Sequence, residues 1–297
     1  MTVSGQRISG AVVAAHGRRC VVATDGGELV ACLARGREKL YACGDRVLVE
    51  LAGNGEGVIE AADPRSTLFL RAAPHRRKLI AANVTQVAVI TAGEPSVSDE
   101  LVCRVLVAAG CQGVHGLIVL NKADLGPPTT ALRERLAPFA RLGYPVVEIS
   151  AQRDVAPLRD RLAGETTVLI GQSGMGKSTI VNALVPDAGA ATREISRFLD
   201  SGRHATSHTR LYRLDERTAI IDSPGVQEFG LAHLLAPDIE RAFPELAPCA
   251  GRCRFRDCRH RAEPGCAVRA AVEAGAIHPR RLELLHRILD AEAAATR

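Results

Sequence analysis

Five short runs of apolar and β-branched residues, at 8–16, 18–24, 28–34, 46–51 and 57–61, open the chain and are separated by turn residues. Their length and spacing predict a small closed β-barrel of OB or SH3 type, with Asp25-Gly26-Gly27 as a hairpin turn. The segment 63–78, with Pro64, Pro74 and Arg76-Arg77-Lys78, reads as a linker. Beyond it the pattern changes. Continuous apolar runs ending in polar loops, at 87–91, 116–120, 145–149, 167–170 and 219–221, alternate with helical stretches such as 98–109 and 178–184. Buried runs alternating with helices predict βαβ units and a mostly parallel sheet. From about residue 233 the chain is helical again, interrupted by a Cys-rich knot, and Leu282, Leu285, Ile288 and Leu289 mark a packing helix over 279–291.

Composition narrows the class. The 297 residues allow two domains, or three if one is small and metal-stapled, and 46% hydrophobic against 24% charged residues excludes a disordered chain. No apolar run approaches the roughly 18 residues of a membrane span, and the first 19 residues lack a secretory pattern, so a cytoplasmic protein is expected. The net charge of +5 allows an anionic partner such as RNA. Arg35, Arg37, Lys39 and Arg46 tilt the barrel toward that role. Only four of the 38 basic residues are lysines, Lys39, Lys78, Lys122 and Lys177, and two of them fall in the motifs below. Of nine cysteines, four crowd between 249 and 266, which in a reducing compartment reads as a metal site before disulfides.

The apolar run 166–170 leads into Gly171-Gln172-Ser173-Gly174-Met175-Gly176-Lys177-Ser178 and then, from Thr179, a helical pattern. This is a P-loop in its strand-to-helix context. Its amides wrap phosphates, Lys177 bridges the β- and γ-phosphates, and the Ser178 hydroxyl ligates Mg²⁺. Asn121-Lys122-Ala123-Asp124, at the end of the run 116–120, selects the base. The Asp124 carboxylate accepts from guanine N1–H and the N2 amino group, whereas adenine offers no such pair and would leave the charge unpaired. Asn121 supports the loop, the Lys122 stem lies over the ring, and Ser150-Ala151 offers backbone N–H to guanine O6.

Asp222-Ser223-Pro224-Gly225 ends the run 219–221. Asp222 is expected to hold Mg²⁺ and the Gly225 amide to sense the γ-phosphate. Between the two phosphate elements lies a polar switch loop at 202–209, from which Thr206 completes the Mg²⁺ shell and His204 positions the attacking water. The base-reading residues precede the P-loop here, the reverse of a Ras-like order, so the motifs are circularly permuted. A doubly wound sheet tolerates this because its site loops all emerge at one edge of the sheet.

Cys253, Cys258, His260 and Cys266 supply three thiolates and an imidazole within fourteen residues, matching one closed structural Zn²⁺ site. Cys249 is a spare that could replace one ligand. Arg252, Arg254, Arg256, Arg259 and Arg261 are interleaved with the ligands, together with Phe255, and suit RNA phosphate.

The combined barrel, permuted motifs, the run from Ile221 to Gly230 (IDSPGVQEFG) and the knot ending Glu263-Pro264-Gly265-Cys266 resemble the bacterial ribosome-small-subunit-dependent GTPase A family over nearly the whole chain. The resemblance implies a multidomain protein: an OB-like RNA-binding barrel (1–70), a circularly permuted P-loop GTPase domain (71–232) and a helical zinc-binding domain (233–297). It also implies a cytoplasmic GTPase engaging the 30S subunit and its rRNA late in maturation, with hydrolysis to GDP stimulated by that subunit. A monomer is expected. Two departures from the family stand out: Ala205 replaces a hydroxyl residue in the switch loop, and Thr85 stands where an Asp is usual. Val226, which follows Gly225 where Ras-like enzymes carry a water-positioning Gln, agrees with the family. The alternative is an RNA-binding module that uses GTP and GDP only as a conformational switch, with negligible hydrolysis.

Overall fold

The computed structural model describes residues 6–35, 40–53, 55–73, 76–189, 195 and 209–295. Its first five strands are β1 (Arg7–His16), β2 (Arg19–Thr24), β3 (Leu29–Ala34), β4 (Arg46–Gly53) and β5 (Glu56–Ala62), each within two residues of a run expected from the pattern. β1 pairs antiparallel with both β2 and β4, and β3 pairs parallel with β5, which pairs with β4, so the five strands close on themselves. A register shift between Val12 and Ala14 bends the long first strand so that it can serve two neighbours. Val12, Cys20, Val22, Cys32, Val49 and Ile59 fill the interior. Two of the four basic residues assigned to RNA here are engaged with acids: Arg35 with Glu60 at 3.1 Å and Arg46 with Asp25 at 2.7 Å. Arg37 and Lys39 lie outside the described residues.

The linker expected over 63–78 is replaced by a hairpin. β6 (Leu68–Ala73) and β7 (Arg76–Ala82) pair antiparallel as a separate two-stranded sheet, leaving only 63–67 as connection. Phe69 and Ala72 turn inward, whereas Arg71 and Lys78 stand opposite each other in register. The barrel is tied to this hairpin region through Asp45, only 1% exposed, which accepts two 2.7 Å bonds from Arg65.

The central sheet is built from β8 (Gln86–Ala92), β9 (His115–Asn121), β10 (Val146–Glu148), β11 (Thr166–Ile170), β12 (Arg210–Arg213) and β13 (Ala219–Asp222). Its order is β10-β9-β8-β11-β13-β12, parallel except for β12. Every residue of β8 is buried, as a strand covered on both faces requires. The helices of this region are α1 (Asp99–Gly110), α2 (Pro127–Arg141), α3 (Ala156–Leu162) and α4 (Lys177–Leu184), and Pro127-Pro128 supply the fixed φ that opens α2. The loops after β9, β10, β11 and β13 all leave the same edge of the sheet, which brings the permuted motifs together. β12 also pairs with β1 through Ala14 and Arg210, so barrel and sheet form one eleven-stranded surface.

The C-terminal region comprises α5 (Ala236–Arg241), a 3-10 turn over Pro244–Cys249, α6 (Ala267–Glu273) and α7 (Pro279–Ala295). Its apolar residues Phe243, Val268, Ile277, Leu284, Leu285 and Ile288 belong to the same core as the central sheet. The buried stripe of α7 is centred on Leu284, Leu285 and Ile288, with Leu282 and Leu289 at its margin. Arg281 is inserted between the rings of Phe139 (4.8 Å) and Phe243 (4.5 Å) and paired with Glu245 at 2.6 Å. Among the described residues no helix is long and apolar enough to cross a membrane.

Candidate nucleotide site and metal centre

The P-loop turns where glycine alone fits. A Cβ at Gly171 would lie 2.5 Å from the Ile90 carbonyl oxygen, and Gly176 enters α4 at φ +89°. Lys177, 8% exposed, folds back so that its Nζ donates to the Gly171 carbonyl at 2.7 Å and the Gln172 carbonyl at 3.0 Å. Burial lowers the Lys177 pKa against the pull of nearby Asp222. The loop carbonyls thus hold the ammonium where phosphate oxygens are expected to take over. Ser178 and Thr179 follow on the exposed face of the first turn.

Asn121 joins the base loop to this element. Its Nδ2 donates to the Met175 carbonyl at 2.9 Å, and its Oδ1 accepts from the Ala151 amide at 3.0 Å. The Ala151 amide expected at guanine O6 is therefore part of the lock between loops. Lys122 sits at φ +58° and its Nζ donates to the Glu94 carbonyl at 2.9 Å. Asp124 accepts from the Ser150 hydroxyl, which with its own backbone amide and the charge of Arg153 holds its pKa below the usual 3.8. Asn121, Lys122, Asp124, Ser150, Gly176 and Thr179 line a cavity of about 240 Å³. Arg153, 3.7 Å from Asp124, is a member of this site that sequence reasoning missed, because nothing marks it apart from other surface arginines.

The third loop is fastened to β11 and to the P-loop that follows it: Ser223 Oγ donates to the Leu169 carbonyl at 2.7 Å and the Val226 amide to the Gly171 carbonyl at 3.1 Å. A Cβ at Gly225 would lie 3.1 Å from the Ser173 nitrogen and 3.5 Å from Lys177 Nζ. Asp222 is pushed up to about 6 by burial, opposed by Lys177 and by Arg210, its partner across β12–β13. Its Oδ1 is buried with no hydrogen-bond donor among the described residues. An acceptor-only oxygen in that position fits a hydrated divalent cation, which needs no proton donor. Switch residues His204 and Thr206 lie outside the described residues.

The four residues expected as metal ligands come together in the fold. The ligand atoms of Cys253, Cys258, His260 and Cys266 all lie within 4.8 Å of one another. His260 Nδ1 stands 3.6, 3.6 and 3.3 Å from the sulfurs of Cys253, Cys258 and Cys266, and Cys253 and Cys266 are 4.0 Å apart. Tetrahedral Zn²⁺ with bonds of about 2.0–2.3 Å has edges of about 3.5–3.8 Å, so the donor set fits zinc. Cys249 stands apart from these four, its thiol directed at the Ala267 carbonyl at 3.7 Å. Glu263, pushed down to about 2 by the amides of Arg259 and its neighbours, accepts from Arg259, Arg261 and Ala262 and shapes the loop. Arg252, Arg254, Arg256, Arg259 and Arg261 are all exposed, with Arg254 over the Phe255 ring at 5.5 Å. Arg261 pairs with Asp290, while Arg254, Arg256 and Arg259 carry no carboxylate partner among the described residues.

A family model described as RsgA GTPase matches residues 62–232. The small ribosomal subunit biogenesis GTPase RsgA of Nitrosomonas europaea is 48% identical over 289 residues, covering 96% of this chain and 92% of that protein. Its counterpart from Bordetella pertussis is 49% identical over 297 residues, covering 99% of both chains. Among solved structures, the YjeQ protein from Thermotoga maritima matches with a TM-score of 0.72 at 28% identity, covering 96% of this chain and 99% of that one. The fold is shared as well by YloQ, titled a circularly permuted GTPase, at a TM-score of 0.68.

Proposed function

The chain belongs to the RsgA GTPase family, and on that premise we propose that it hydrolyses GTP to GDP and phosphate while acting in maturation of the small ribosomal subunit. The observation that carries the chemistry is the convergence of three loops on one sheet edge: Asn121 fastens the base loop to the P-loop, and Ser223 and Val226 fasten the Asp222 loop to it.

Guanine enters the cavity beside Asp124, which accepts from its two N–H donors while Ser150 keeps the carboxylate ionised. Amides of Gly171, Gln172, Ser173, Gly174, Met175 and Gly176 wrap the phosphates, and Lys177 transfers from loop carbonyls to phosphate oxygens. Ser178, Thr206 and Asp222 would hold Mg²⁺, which neutralises charge on the β- and γ-phosphates. The Gly225 amide meets the γ-phosphate, and His204 orients the attacking water. With Val226 in place of a water-positioning Gln, intrinsic turnover is slow and the subunit organises the site.

The barrel (1–70) and the exposed arginines of the zinc unit (233–297) flank the catalytic domain (71–232) and bind rRNA phosphate. The protein works as a monomer in the cytoplasm. Measuring phosphate release with and without 30S subunits tests this reading: stimulation by 30S is expected. Nucleotide-dependent binding without any stimulated release would favour the purely conformational switch.

A further inference from the structure

Two buried charges have no part in the reaction as described. Arg104 on α1 and Glu292 in the last turns of α7 are 8% and 9% exposed and form an ion pair at 2.5 Å. Arg104 Nε also donates to Glu100 at 2.9 Å, one helical turn away. Both residues reach the same stretch of backbone. Arg104 Nη1 points at the Phe229 carbonyl at 3.5 Å, and Glu292 Oε1 accepts from the Leu231 amide at 3.1 Å. The Ala72 amide adds a 3.1 Å bond to the Gly230 carbonyl, and the Phe229 ring packs on Phe69.

The segment so gripped begins four residues after Gly225. At its near end the Val226 amide is bonded to Gly171. The loop that faces the γ-phosphate is thus spanned between two fixed points, with Gln227 and Glu228 exposed between them beside a cavity of about 780 Å³. A buried ion pair is a poor source of net stability, since apolar residues of like volume often serve as well. What this one supplies is directional: a donor aimed at the Phe229 carbonyl and an acceptor for the Leu231 amide, on either side of Gly230.

We infer that Arg104 and Glu292 are positioning residues that hold the far end of this loop so that the Gly225 amide stays in register with Lys177, making the C-terminal helix part of the γ-phosphate sensor. The inference rests on the reading that Gly225 senses the γ-phosphate.

The test compares the affinities of GDP and a non-hydrolysable GTP analogue in the full-length protein and in R104M, E292Q and the double variant R104M/E292M. Loss of these charged hydrogen bonds is expected to lower the preference for the triphosphate about tenfold, with GDP affinity held within about twofold. The double variant keeps the site apolar and packed. It is expected to melt near the wild-type temperature and still lose the preference. If the double variant keeps the wild-type preference, or if both affinities fall in parallel, the pair is structural only and the inference fails. A wild-type protein that does not distinguish the two nucleotides would instead overturn the assignment of Gly225.

Discussion

The side-chain amide of Asn121 occupies the space that any Cβ at position 176 would need: that atom would lie 2.3 Å from Asn121 Nδ2. The base loop and the phosphate loop are therefore fitted to each other through one glycine and one amide, before any nucleotide arrives. Asn121→Ala removes a donor to the buried Met175 carbonyl and an acceptor for the Ala151 amide. The expected cost is about 1–3 kcal/mol in nucleotide binding, roughly fivefold to a hundredfold in GDP affinity by fluorescence titration. An unchanged affinity would show that the loops find their positions without it.

Asp222 gives a pH signature in the nucleotide-free protein. Its folded pKa of about 6 lies above the ordinary 3.8, so its contribution to stability is complete below about pH 3.8 and is lost as pH rises through 6. Asp222→Asn, neutral throughout, is expected to stabilise the free protein at pH 7.5 by about 1–3 kcal/mol and to change little at pH 4. Urea unfolding at the two pH values decides this. Equal stabilisation at both would rule out the carboxylate charge as the cause.

Zinc content separates the four ligands from the spare cysteine. Cys258→Ser is expected to lower bound zinc from about one ion per chain to near none, and Cys249→Ser to leave it at about one. Elemental analysis of the purified variants is the measurement. Loss of zinc in the Cys249 variant would reopen the ligand set.

Arg281 fixes the zinc-bearing region to the catalytic core. Arg281→Met leaves Glu245, 4% exposed, as an unpaired buried charge, with an expected destabilisation of about 3–5 kcal/mol. Removing the charge in turn, as Arg281→Met with Glu245→Leu, is expected to restore most of it in the same urea assay. Failure of the second change to rescue would point to the stacking between Phe139 and Phe243 as the dominant contribution.

The barrel and the parallel sheet were legible because their strands carry the periods that burial on one or both faces imposes. The P-loop, Asp124 and the Cys/His quartet were legible because their chemistry demands fixed residue types at fixed spacing. The β6–β7 hairpin was hidden by Pro64, Pro74 and three consecutive basic residues, which look like a linker although Phe69 and Ala72 are buried. Arg281 falls on the expected packing helix and Glu292 just past its expected end, and their burial depends on partners up to 188 positions away. Spacing along the chain carries no information about such pairs. The Ala151 amide was placed at the base from motif logic alone, whereas the fold engages it with Asn121.

The seam between β1 and β12 gives the molecule a load path. The Cys43 thiol donates to the Val13 carbonyl at 3.4 Å and to the Thr209 carbonyl at 3.2 Å, and Ala14 is paired with Arg210. Thr209 precedes β12, and Arg210, its first residue, stands opposite Asp222 on β13. A force applied to the barrel along β1 is therefore resisted in shear by β12, the strand paired with β13 beside Asp222, so that a pull on the barrel reaches the Asp222 strand through backbone hydrogen bonds.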